Sequence, residues 1–222
     1  MSRKSAIILC LATFCVTSGI HAATIANWTF ETSLPTTAGP ITPEEGSGAA
    51  TIFHAAATPI TYSNPVGNGS MESYSTNNWT VGDYFQFEVS TLGQAEITFA
   101  WDQTRSSSGP GFQDLVTPNF KLQYSTDGTS FTDHLDYLVP VVTWSGATTD
   151  VSTKYSQDLS AVTAINNQGN VYFRLTSILP DQATSTAGTS RVDNVTIASI
   201  PEPACLILLA AGFVIAATRR QR

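Results

Sequence analysis

Tyr84-Phe85-Gln86-Phe87-Glu88-Val89 and, a few residues on, Glu96-Ile97-Thr98-Phe99-Ala100-Trp101-Asp102 are the two stretches whose reading decides the fold. In the first, Phe85, Phe87 and Val89 share one face while Tyr84, Gln86 and Glu88 take the other. In the second, Ile97, Phe99 and Trp101 oppose Glu96, Thr98 and Asp102. A period of two, in β-branched and aromatic residues, is the signature of strands with one buried face. Trp101 falls on the buried side.

The same pattern extends outward. Phe120, Leu122 and Tyr124 alternate with Lys121, Gln123 and Ser125, and Asp127-Gly128 then offers the positive φ angles of a tight turn before Phe131, which makes a hairpin. Further strands are expected over Thr24 to Phe30, Val171 to Ile178 (Val171, Phe173 and Leu175 inward) and Arg191 to Ala198. Leu159 to Ile165 is the one helix-like stretch, and it is too short for more than a turn or two. Segments rich in Pro, Gly and Ser, from Pro35 to Gly48, Arg105 to Pro118 and Asp181 to Ser190, read as surface loops, where binding functions tend to sit. Roughly eight to ten strands with such connections predict an all-β, antiparallel two-sheet sandwich.

The two ends follow other rules. Arg3 and Lys4, an apolar run from Ala6 to Val16, and small residues at Ala22 and Ala23 make residues 1–22 a secretory signal peptide cut after Ala22. Near the other end, Ala204 to Thr218 is an uncharged run of 15 residues, followed by Arg219, Arg220 and Arg222. As a helix it would reach about 22 Å against a hydrocarbon core of about 30 Å, a short transmembrane span that snorkelling arginines can complete. The arginines place the C-terminus in the cytoplasm, in agreement with export of the body. Ahead of the run stands Pro201-Glu202-Pro203, which is extended and short of two N–H donors, and so is expected to join neither the last strand nor the helix.

This order of Pro-Glu-Pro, apolar helix and terminal arginines, covering residues 200–222, resembles the PEP-CTERM sorting signal of exported bacterial proteins. The resemblance implies that an exosortase reads Pro201, Glu202 and Pro203 at the inner membrane and removes the tail. The body would then be released or displayed at the cell surface, in bacteria that make extracellular polysaccharide. A permanent single-span anchor is the alternative. Either way, residues 23–199 form the exported domain.

That domain carries five basic residues against sixteen acids, a net charge of −11 that the terminal segments mask. Such a surface excludes nucleic acid as a partner and disfavours dense polyanions. The domain holds no cysteine, so no disulfide supports it. His54 and His134 are its two histidines, and His134 with Asp136 does not make a hydrolytic triad, because no nucleophile elbow accompanies them. No zinc-ligand spacing or phosphate-binding loop is present. A pair of carboxylates for glycoside hydrolysis stays open, since their spacing is spatial rather than sequential. Among the tryptophans and tyrosines, Trp79, beside Asn77, Asn78, Thr80 and Gly82, is the expected exposed ring for stacking on a sugar.

Trp28 to Glu31 at the start and Arg191-Val192-Asp193-Asn194-Val195 at the end resemble the first and last strands of jelly-roll carbohydrate-binding modules. The resemblance implies adjacent terminal strands and a structural calcium between Glu31 and Asp193, whose oxygens suit a hard cation. The expected protein is a non-enzymatic, exported jelly-roll sandwich associated with extracellular polysaccharide. A carbohydrate-binding module with exposed aromatics is the first alternative, and a glycan-active hydrolase the second.

Overall fold

The computed structural model describes residues 22–55, 61–108, 116–178 and 188–201. Residues 1–21 of the signal peptide, together with Glu202, Pro203, Arg219, Arg220 and Arg222 of the sorting motif, lie outside the described residues. Among the described residues no helix is long and apolar enough to cross a membrane.

The described residues form twelve strands: β1 (Ala23–Trp28), β2 (Glu45–Gly46), β3 (Ala49–Phe53), β4 (Tyr62–Ser63), β5 (Tyr74–Asn77), β6 (Tyr84–Val89), β7 (Gln94–Arg105), β8 (Phe120–Ser125), β9 (Thr132–Tyr137), β10 (Lys154–Asp158), β11 (Val171–Ser177) and β12 (Thr189–Pro201). They make two antiparallel sheets. One has seven strands, ordered β10, β7, β12, β1, β2, with β5 paired to the first part of β12 and β4 to β5. The other has five, ordered β3, β6, β11, β8, β9.

The inward side of the alternation expected for β6 and β7 holds, with Phe85, Phe87, Ile97, Phe99 and Trp101 buried between the sheets, but Asp102, expected on the outward side of β7, is buried as well. The core is largely aromatic. Phe99 stacks on Phe173 at 5.0 Å and packs at a tilt against Trp101 at 5.1 Å, and Trp28 meets Phe87 edge-on at 5.3 Å. Aromatic pairs of this kind add about 0.5–1.5 kcal/mol each beyond area burial. They hold together a fold without disulfides.

Three local expectations are corrected. In the β8–β9 hairpin only Gly128 takes positive φ (72°), while Asp127 uses its carboxylate to accept from the N–H groups of Thr129 and Ser130. The helix-like stretch shrinks to one 3-10 turn, Thr163–Ile165. Pro201 does join the last strand, its backbone paired with Gln94. A proline is tolerated at the end of a strand, where its missing N–H costs no ladder bond.

Candidate functional site

The outward face of the five-stranded sheet carries a group of stacked planar side chains. Register places Thr51, Gln86, Arg174, Gln123 and Asp133 in one row across β3, β6, β11, β8 and β9. The next row is Phe53, Tyr84, Thr176, Lys121 and Asp136. These are the positions that alternate with the buried Ile52, Phe85, Phe87, Phe173, Leu175 and Leu122, so the pleat itself turns them outward. Asp133 reaches this row because of a bulge: Leu122 opposes Leu135 but Gln123 opposes Asp133, which leaves His134 as the extra residue.

Four planar groups stack side by side on this face. Phe53 and Tyr84 lie parallel at 5.0 Å with 18° between their planes. The guanidinium of Arg174 sits 3.8 Å from the Tyr84 ring centre and 3.5 Å from that of Phe131. Phe53, at the edge strand, remains 47% exposed. Amides order the rest: Arg174 Nε donates to Gln86 Oε1 at 2.8 Å, and Thr176 Oγ1 to Gln123 Oε1 at 2.7 Å. Gln123 Nε2 and Lys121 Nζ both donate to Asp133 at 2.7 Å, which holds its carboxyl below the usual range. Partial burial lowers the pKa of Arg174. Desolvation and then the negative charge of Glu88 raise that of Tyr172, on the neighbouring row. Fixed rings with amide, hydroxyl and charged groups between them can both stack on and hydrogen-bond a polyhydroxylated ligand.

The residues singled out from sequence lie elsewhere. Trp79 is not exposed; its solvent exposure is 0%. Asn78, at φ 58°, turns the chain so that the indole packs 4.8 Å from Phe85 and 5.5 Å from Phe120, and its Nε1 donates to Thr76 O at 3.0 Å. The polar neighbours that marked it as a surface residue belong to the turn, not to the ring.

Glu31 and Asp193 do come to one loop: Glu31 accepts from Glu72 N at 2.8 Å, and Asp193 Oδ2 accepts from Asn68 N at 2.8 Å and Ser70 Oγ at 2.6 Å. Asn194 supplies two further donors to Asp193. Calcium takes six to eight oxygens. These two carboxylates are already engaged by protein donors, and no group of three or more His, Cys, Asp or Glu side chains able to hold a metal occurs among the described residues. The set does not fit a calcium site.

Asp193 also faces Asp102 across the β12–β7 ladder, and Asn194 Nδ2 donates to both. Burial pushes Asp193 up to about 6 and raises Asp102 as well. Asp102 lines a cavity of about 500 Å³ together with Asn68, Lys154 and Thr196. His54 forms a second buried group, with Nδ1 2.9 Å from Asp83 Oδ2 and Nε2 3.1 Å from Thr76 Oγ1. Thr76 is 1% exposed, so this Asp-His-Thr chain has no accessible nucleophile.

The described chain is a two-sheet antiparallel β-sandwich bearing an aromatic cluster. It is similar to the N-terminal CBM22-1–CBM22-2 tandem domain of Paenibacillus barcinonensis Xyn10C at 12% identity and a TM-score of 0.51, over 84% of this chain and 52% of that one. It is also similar to the K3 cleaved adhesin domain of Lys-gingipain from Porphyromonas gingivalis w83, at 15% identity and a TM-score of 0.45, over 79% and 98% of the two chains. At such identities the likeness concerns fold alone. No family model matches the chain, and no curated protein is similar to it at a significant level.

Proposed function

We propose that the exported domain is a non-enzymatic carbohydrate-binding module and that the outward face of the five-stranded sheet is its binding surface. The observation that carries this reading is the Phe53, Tyr84, Arg174, Phe131 stack flanked by Gln86 and Gln123. A sheet face that only needs solvation does well with short polar and charged residues. This one instead fixes large planar groups next to amides, which is the composition that recognises a sugar's apolar face and its hydroxyls together. Export, and sorting of the tail by an exosortase to bring the domain to extracellular polysaccharide, belong to the same proposal.

Binding of the purified chain to a panel of soluble and insoluble polysaccharides tests it. Phe53→Ala and Tyr84→Ala are expected to lower affinity for whichever polymer binds, each by about three- to tenfold, the range of a stacking contact. Retention on no polysaccharide, or retention unaffected by both substitutions, overturns the reading.

A further inference from the structure

We infer that this surface selects glycans bearing carboxylate groups, with Arg174 as the residue that reads them; the inference rests on the glycan-binding proposal and narrows it. The geometry is unusual for so acidic a protein. Arg174 is half-buried and clamped between two rings, and its Nε is fixed by Gln86, yet neither Nη group donates to any described residue. The ion pairs among the described residues are His54 with Asp83 and Lys121 with Asp133, so Arg174 takes part in none.

Acids are near at hand but otherwise engaged. Asp133 is bound by Lys121 and Gln123. Glu88 acts on Tyr172. Asp136 stands opposite Lys121, a row away from Arg174. With sixteen acids to five bases, an internal partner for this cation was the easy outcome. The guanidinium is instead held flat and left open at its Nη edge. An unpaired, partly desolvated charge is costly, and the two rings offset only part of that. A carboxylate offers the two parallel acceptors that a guanidinium fork fits.

The domain's net negative charge sets the other half of the specificity. A densely charged polyanion is repelled at long range, whereas a neutral chain with spaced acidic sugars brings its carboxylate to Arg174 with little repulsion. The ligand class is therefore a largely neutral glycan with intermittent uronate groups.

The test compares two probes on the full chain by titration calorimetry: a xylan carrying glucuronate side groups, and the same polymer after reduction of its carboxyls to alcohols. The acidic polymer is expected to bind at least about tenfold more tightly, the scale of a charge-assisted hydrogen-bonded pair. Arg174→Gln should bring both polymers to the weaker level, and Arg174→Lys should recover only part of the preference, since it restores charge without the fork. Equal binding of the two polymers by the unsubstituted chain overturns the inference and leaves the glycan-binding reading standing. Discrimination that survives in a folded Arg174→Gln also overturns it. Binding to neither probe, nor to any polysaccharide of the wider panel, overturns both. The wild-type comparison needs no variant, so equal binding of the two polymers overturns the inference even if a substituted chain fails to fold.

Discussion

Two residues show how a polar setting can hide a structural role. Trp79 is surrounded in sequence by asparagine, threonine and glycine, yet its ring closes one end of the core against Phe85 and Phe120. Trp79→Ala is expected to lose about 3–5 kcal/mol of stability by urea unfolding, as large core truncations do. Any loss of binding in that variant would report the fold rather than a contact. Asp83, fully buried, accepts from His54 Nδ1, Ala55 N and Thr80 N at 2.6–2.9 Å. It ties the end of β3 to the turn before β6. Asp83→Ala strands those donors and should cost about 3 kcal/mol or more in the same experiment. A loss below about 1 kcal/mol would show that water reaches and satisfies them.

At the scale of elements, the inward faces were legible because alternation is local. Phe85, Phe87 and Val89 declare their side within six residues, and the hairpin follows from Asp127-Gly128. What those outward residues build was not legible. Gln86 meets Arg174 from 88 positions away, and Thr176 meets Gln123 from 53. No window of sequence contains both partners, and the stack exists only once β11 lies between β6 and β8. The same limit applied to Pro201, whose fit at the end of β12 depended on Gln94 of β7. That placement separates two roles that one substitution can test. Pro201→Ala restores an N–H at a ladder end, so thermal stability should change by no more than about 0.5 kcal/mol. In the exporting cell, the double variant Pro201→Ala/Glu202→Ala should keep its tail if the motif is read by an exosortase. Normal processing of that variant, followed by mass spectrometry of the mature protein, would remove the sorting proposal.

For the molecule as a whole, buried and exposed carboxyls pull stability in opposite directions with pH. Asp193, raised from 3.8 to about 6 by burial, binds its proton more tightly folded than unfolded. Its contribution is therefore present at acid pH and lost as pH rises through about 6, on the order of 3 kcal/mol; Asp102 shifts in the same direction. Asp127, Asp133, Asp150 and Asp158 are lowered by hydrogen bonds, so their stabilisation is present above their ordinary range and disappears on further acidification. Thermal midpoints should thus rise as pH falls from about 7 to about 5 and drop again below about 4. Asp193→Asn should flatten the upper limb, and a midpoint that climbs steadily with pH instead would contradict the assignment. The pairing of Ala23 with Ser199 in the β1–β12 ladder has a mechanical consequence. Force drawing those two ends apart opens β1 from β12 like a zipper, one bond at a time. Tension between residues 105 and 201, at opposite ends of the antiparallel β7–β12 ladder, pulls β12 lengthwise along β7 and strains many bonds together. A domain of this build would part readily in the first direction and hold fast in the second.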